Sequence, residues 1–118
     1  MKPILVVVGG VQSRDRLVEV LLRAGYNVAQ ADSGKSALSI ARSNPPGLIF
    51  IAIVMPDISG LEIAAKLREI LASTPPIILL GSIPPIGLHD EPLASLVDGY
   101  LNINVTSSEL LATVESQI

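Results

Sequence analysis

The sequence predicts an α/β fold, a three-layer αβα doubly wound sandwich built from five strand-and-helix alternations, (βα)5. Three observations lead there. Short aliphatic runs recur along the chain, and the segments between them repeat apolar residues at three- and four-residue steps, the period of a buried helix face. Hydrophobic residues make up 49% of the 118 and aromatics only 3%, so the core has to be built from aliphatic side chains, which suits buried parallel strands. Strands that are apolar throughout need helices on both faces of the sheet, and right-handed crossovers leave the doubly wound arrangement as the economical topology.

The elements follow in order. The first strand is expected at Ile4 to Val8, and Leu17, Leu21 and Ala24 mark the buried face of the helix after it. Between them Gly9 and Gly10 suit a tight turn or a backbone open to an anion, although the third glycine of dinucleotide folds is missing and Val11, Gln12 and Ser13 follow instead. The second strand is read at Asn27 to Ala31, with Ala37, Ile40 and Ala41 lining the second helix. The third strand runs from Leu48 to Ile53 and the third helix carries Ile63, Leu67 and Ile70. Ser59 with Glu62, and Thr106 with Glu109, match capping boxes that start helices, and Ser13 is a further expected cap. The fourth strand is placed at Ile77 to Leu80 and the fifth at Gly99 to Ile103, ahead of a last helix. After the fourth strand, Ile83, Pro84, Pro85, Ile86 and Gly87 cannot form a regular helix, because the prolines remove donors and disfavour the helical region before each ring. A short helix of about two turns can begin only at Asp90, Glu91 and Pro92, ending near Val97. The Pro84, Pro85, Ile86 stretch is then an apolar loop, either tucked over the strand ends or exposed as a partner contact.

Composition also excludes function classes. At 118 residues the expectation is one domain, residues 1–118, with a single core. A net charge of −3 and no basic run argue against nucleic-acid or anionic-membrane binding by this chain. Without cysteine there is neither a disulfide framework nor a thiolate metal site. No apolar stretch reaches membrane-spanning length and no signal-peptide pattern opens the chain, so a cytoplasmic location is expected. Gly34, Lys35 and Ser36 follow a strand and open a helix like the end of a P-loop, but Ala29 stands where the earlier glycine is required and Asp32 puts a negative charge at the cradle. His89, the only histidine, has no ligand spacing around it and is read as a solvated loop side chain.

Ile4 to Val7, Arg14 with Leu17, Gly25 to Val28, Ala31 to Gly34 with Ala37 and Leu38, Met55-Pro56 with Gly60, Pro76 to Ile78, and Gly99 to Leu101 form one ordered set of motifs along the whole chain. In this order and spacing the chain resembles the receiver domain of bacterial response regulators, of the chemotaxis-regulator kind. The fold implied is the flavodoxin-like one, with a parallel five-stranded sheet in the order 2-1-3-4-5. Receivers resemble one another in a reactive site, and this sequence departs from it position by position. Where the family carries two acidic residues that hold magnesium, the chain has Val8 and Gly9, followed by Gly10. Ala52 stands at the phosphoaccepting aspartate, Gly81 at the hydroxyl residue after the fourth strand, Ile103 at the lysine after the fifth, and Asn104 at the proline that follows it. A methyl group can neither attack a phosphohistidine nor hold an acyl phosphate, and aliphatic side chains offer no oxygen to a hard cation. The resemblance therefore implies a degenerate pseudo-receiver that is no enzyme and uses no cofactor or metal. Asp57 and Ser82 lie near the site as substitute acceptors, but Asp57 is expected to face solvent and cap its own loop. Asn104 predicts a trans bond after Ile103.

In receivers the aromatic matching Tyr100 changes rotamer with the hydroxyl residue, and Gly81 has no side chain with which to signal. Tyr100 is then either a fixed contact on the surface of the fourth helix, fifth strand and fifth helix, or a half-buried residue filling the space beside Gly81. Two functions follow. One is a phosphorylation-independent interaction module of a two-component phosphorelay, with a histidine kinase, another receiver or an output protein as partner. A homodimer through the fourth helix, fifth strand and fifth helix is an accompanying candidate. The other is a small-ligand sensor using a pocket lined by Val8, Gly9, Ala52, Gly81 and Ile103 at the strand carboxyl ends.

Overall fold

The computed structural model describes residues 2–71, 73, 75–81 and 97–118. Its aliphatic runs form β1 (Ile4–Val7), β2 (Val28–Ala31), β3 (Leu48–Ala52), β4 (Ile77–Gly81) and β5 (Gly99–Asn102). All pair in parallel, in the order β2-β1-β3-β4-β5, as expected from strands that are apolar on both faces. The helices are α1 (Val11–Arg23), α2 (Gly34–Ser43), α3 (Gly60–Ile70) and α4 (Ser107–Gln117). Of the short helix expected from Asp90 to near Val97 only Val97 is described, and the loop with Pro84, Pro85 and Ile86 lies outside the described residues, as do Ser82 and His89.

Alternation along the strands divides the core into two layers. Ile4, Val6 and Val8 of the first strand segment join Leu48, Phe50, Ile78 and Leu80 beneath α1 and α4, through Leu17, Leu21, Leu110 and Val114. Leu5, Val7, Ile49, Ile51, Ile77 and Leu79 pack on the opposite side against Ala37, Ala41, Ile63, Ala64 and Leu67 of α2 and α3. Each fully buried Leu, Ile or Phe contributes roughly 1.5–3 kcal/mol relative to exposure, so the two layers supply most of the driving force for the fold.

Helix boundaries follow from local chemistry. The α1 C-terminus closes as a Schellman turn, in which Tyr26 N donates to Leu21 O (3.2 Å), Gly25 N donates to Leu22 O (3.0 Å), and Gly25 takes the left-handed φ of +93° that glycine tolerates. Ala24, expected on the buried face, is therefore the exposed C-cap. Ser13 is not a cap either, because α1 begins two residues earlier behind an extended Gly10. Ser59 and Thr106 do cap α3 and α4, accepting from Glu62 N and Glu109 N. A fully reciprocal box stands at α2 instead, where Ser33 and Ser36 exchange side-chain and backbone bonds. Among the described residues no helix is long and apolar enough to cross a membrane.

Candidate functional site

Parallel strands bring their carboxyl ends to one edge of the sheet, and most of the residues singled out by the sequence meet there. Val8 follows β1, Ala52 ends β3, Gly81 ends β4 and Ile103 follows β5. The hydrogen-bond ladder continues past the strand ends: Val8 N donates to Ala31 O (3.0 Å), Ile53 N to Leu80 O (2.8 Å) and Ile103 N to Gly81 O (2.8 Å). Val8 and Ala52 are 2% and 4% exposed and belong to one apolar cluster with Val105, against which Ile103 and Met55 pack. These side chains have become part of the core. Gly9 is exposed, and a Cβ placed on it would stand 3.1 Å from Pro56 Cδ, so the Pro56 ring lies over this turn.

Gly81 faces the other layer. A Cβ there would meet the Tyr100 hydroxyl at 2.5 Å, Tyr100 Cζ at 3.1 Å and Ile53 Cδ1 at 3.1 Å. Tyr100 is half-buried and packs against the layer that holds Leu79 and Ile63. Its hydroxyl thus occupies the space a side chain at position 81 would need.

Two arginines finish the edge, and the sequence reading did not anticipate what they do. The Arg14 guanidinium donates to Val8 O (2.8 Å) and Gly9 O (3.3 Å), and its Nε donates to Gln30 Oε1 (3.3 Å). Arg16 donates to Ile103 O (2.8 Å), tying the segment after β5 to α1. The available signal was a pair of cations in the first turns of a helix that follows Gly9 and Gly10, with no acidic residue in that first turn. Among the described residues no three His, Cys, Asp or Glu side chains come together in a way that could hold a metal ion. The Ile103 to Asn104 bond is trans, and Asn104 N donates to Asn102 Oδ1 (2.8 Å).

Asp57 is exposed, as expected, and the amides of its own loop, those of Ile58 and Asp57, help to stabilise its carboxylate. Beyond that loop the carboxylate accepts from Gly34 N (2.9 Å) and Lys35 N (3.1 Å), the first amides of α2, a reach that the sequence did not suggest. A helix leaves those amides without internal partners, so a carboxylate is favoured there. The Gly34 amide above all, aided by that of Lys35, holds the Asp57 carboxyl below its ordinary value. With Ser33 Oγ accepting from Ser36 N (3.1 Å), the start of α2 has its own acceptors. The P-loop-like Gly34-Lys35-Ser36 is therefore already occupied by the chain itself.

Open cavities are found elsewhere. One of about 440 Å³ lies between α1 and α4, bordered by Arg16, Glu19, Arg23 and Ser107. One of about 220 Å³ lies at the opposite end of the strands, beside Pro3, Tyr26 and Leu48.

The response regulator receiver domain family matches residues 4–115. The chain belongs to this family. Similar proteins include the transcriptional regulatory protein YrkP of Bacillus subtilis, 35% identical over 115 residues that cover 98% of this chain and 48% of the relative. A histidine kinase, P4, of Formosa agariphila is 36% identical over 86 residues, 72% of this chain and 6% of that protein. The receiver domain thus spans about half the length of one curated relative and a small part of the other. Among solved structures, the response regulator TrrA of Thermotoga maritima, in complex with Mg2+ and beryllofluoride, has a TM-score of 0.88 at 31% identity, with both chains fully covered. Chemotaxis protein CheY4 of Vibrio cholerae has a TM-score of 0.88 at 25% identity, covering 100% of this chain and 99% of its own. The flavodoxin-like order 2-1-3-4-5 and the two-component family of this receiver domain are established by these likenesses together with the sheet.

Proposed function

We propose that residues 1–118 form a single pseudo-receiver domain, a cytoplasmic, phosphorylation-independent protein interaction module of a two-component phosphorelay. The observation that carries this reading is Ala52 at the end of β3, 4% exposed and packed with Val8. In-line phosphoryl transfer needs a nucleophile, a cation and a charge clamp. Positions Val8, Gly9, Ala52, Gly81 and Ile103 offer aliphatic side chains or none. The donor set does not fit magnesium, which wants carboxylate and water oxygens around it. No catalytic role is assigned to the domain.

Its partner is a signalling protein, a histidine kinase, another receiver or an output protein, recognised through surfaces that exist without phosphate. Pro84, Pro85 and Ile86 are proposed contacts by their apolar sequence alone. Tyr100 is the weaker candidate, since its hydroxyl is directed at Gly81. Nucleic acid and membrane are not partners on this reading, in keeping with the net charge of −3. The small-ligand reading draws less support from the geometry, because the Val8 and Ala52 side chains are buried in the core and Gly9 offers no side chain to a ligand.

The test is covalent. Incubation with acetyl phosphate and magnesium, followed by intact-mass measurement, is expected to leave the mass unchanged, and beryllofluoride with magnesium is expected to leave the melting temperature unchanged. A phosphorylated species, or a melting temperature raised by several degrees, would sink the reading.

A further inference from the structure

The loop of residues 53–59 is held from several sides at once. At its base Ile53 N donates to Leu80 O and Gly60 N donates to Ile53 O, both at 2.8 Å. In the middle the Pro56 ring lies beside Gly9, and Ile58 lies so close to Gly34 that a Cβ there would stand 2.8 Å from Ile58 Cγ1. Between these apolar contacts the Asp57 carboxylate takes the Gly34 and Lys35 amides at 2.9 and 3.1 Å. Val54 is left pointing outward, 86% exposed. A surface loop carrying apolar residues ordinarily has many conformations within reach, and each contact must offset the entropy of ordering it.

We propose that Asp57 is a positioning residue, a latch whose carboxylate fastens the β3-to-α3 loop onto the free amides of α2 and so holds Pro56 and Met55 across the strand ends. The latch spans from the segment after β3 to the start of α2, which are not neighbours in sequence. Gly34 contributes twice, by donating its amide and by having no side chain to push Ile58 away. Because both Asp57 bonds run from backbone donors to one carboxylate, the latch needs neither cation nor phosphate. It would stand or fall separately from the pseudo-receiver reading, which concerns Ala52 and a covalent step.

Amide hydrogen exchange followed by NMR tests it. The first amides of a helix have no internal acceptor and exchange quickly unless something outside the helix holds them. In the unmutated chain, Gly34 and Lys35 are expected to exchange about tenfold or more slowly than free amides, the protection that a charge-assisted hydrogen bond confers. Asp57→Ala is expected to abolish that protection, and Asp57→Asn, which keeps the shape and one oxygen acceptor, to retain part of it. Protection of Val6 and Ile51 in the sheet reports whether the variants remain folded. Unprotected Gly34 and Lys35 in the unmutated chain, or protection that survives Asp57→Ala, would overturn the proposal. The first of these outcomes needs no variant, so a failure of Asp57→Ala to fold leaves the question decidable.

Discussion

Gly81 and Tyr100 form a pair whose coupling can be measured. A methyl group added at Gly81 would stand 2.5 Å from the Tyr100 hydroxyl and 3.1 Å from Ile53 Cδ1, closer than ordinary van der Waals contact allows. The hydroxyl is the far end of a side chain, so Gly81→Ala is expected to displace the ring rather than the sheet. Overpacking of this kind costs about 1–3 kcal/mol. Against it, replacing a strand glycine by alanine returns about 0.5–1 kcal/mol by restricting the unfolded chain. The expected net loss is about 1 kcal/mol, within bounds of about 0 and 2.5, or about 0.5 M in the urea midpoint for a small domain. With Tyr100→Ala in the background the obstruction is gone, and Gly81→Ala is expected to be neutral or slightly stabilising. The double-mutant cycle should therefore return a coupling of at least about 1 kcal/mol. Near-ultraviolet circular dichroism, in a chain with two tyrosines and no tryptophan, would report the ring's displacement in the single variant. Additive effects within about 0.3–0.5 kcal/mol would show that the ring does not occupy the space beside Gly81 and would refute the reasoning.

Three further outcomes follow from the same geometry. A side chain on Gly60 would collide with the Ala52 carbonyl and the Ile53 backbone, neither of which can swing aside, so Gly60→Ala is expected to cost about 2–3 kcal/mol and lower the melting temperature by about 8–12 °C in calorimetry. Asp57 has a folded-state pKa depressed below its unfolded value, so its contribution to stability is fully present above the unfolded pKa and is lost as pH falls through the folded one. Urea titrations below about pH 4 should show the Asp57→Asn difference shrinking, and a difference that grows toward acid would contradict the sign. Ala52→Asp would bury a carboxylate at a site 4% exposed, raising its pKa, so the variant should be destabilised by about 2–3 kcal/mol or more at pH 7.5 and by less at pH 4.5.

Much of this architecture was legible in the sequence, because it rests on patterns that local physics dictates. The strands were visible as aliphatic runs, and Leu17, Leu21, Ala37, Ala41, Ile63 and Leu67 betrayed the buried helix faces by period alone. The misplaced boundaries concern caps. Ser13 looked like a helix start by residue type, yet an extended Gly10 begins α1, and no pattern of side chains distinguishes the two. The positions at the strand ends were found through resemblance to receivers. What Arg14, Arg16 and Asp57 do there was not legible, because Arg14 bonds to carbonyls of the turn before its own helix and the other two to backbone groups of distant segments, and backbone acceptors and donors leave no trace in residue identity. Asp57 read as a turn residue because aspartate is common after a turn proline. Its partners are 23 and 22 positions away in the chain.

If the strand edge lacks reactive groups, as proposed, those three side chains bear on how it keeps a defined shape. A receiver-type site crowds several carboxylates together, and without a cation such crowding raises pKa values and costs stability. Here the edge is held by Arg14 on the Val8 carbonyl, Arg16 on the Ile103 carbonyl and Asp57 on the amides of α2, each a charge bonded to a backbone dipole. Such bonds are made on folding and need no ion to complete them. On the proposed reading the consequence is a surface with one state. Val8 and Ala52 have no charge to gain or lose, and Tyr100 faces a glycine that cannot draw it inward by a hydroxyl. A ligand shifts a conformational equilibrium only by its differential affinity for the two states, and a phosphoryl group with nowhere to attach has none. Any partner of this domain would then distinguish it by shape and apolar contact, so its occupancy would follow the abundance of the two proteins and not the activity of a kinase.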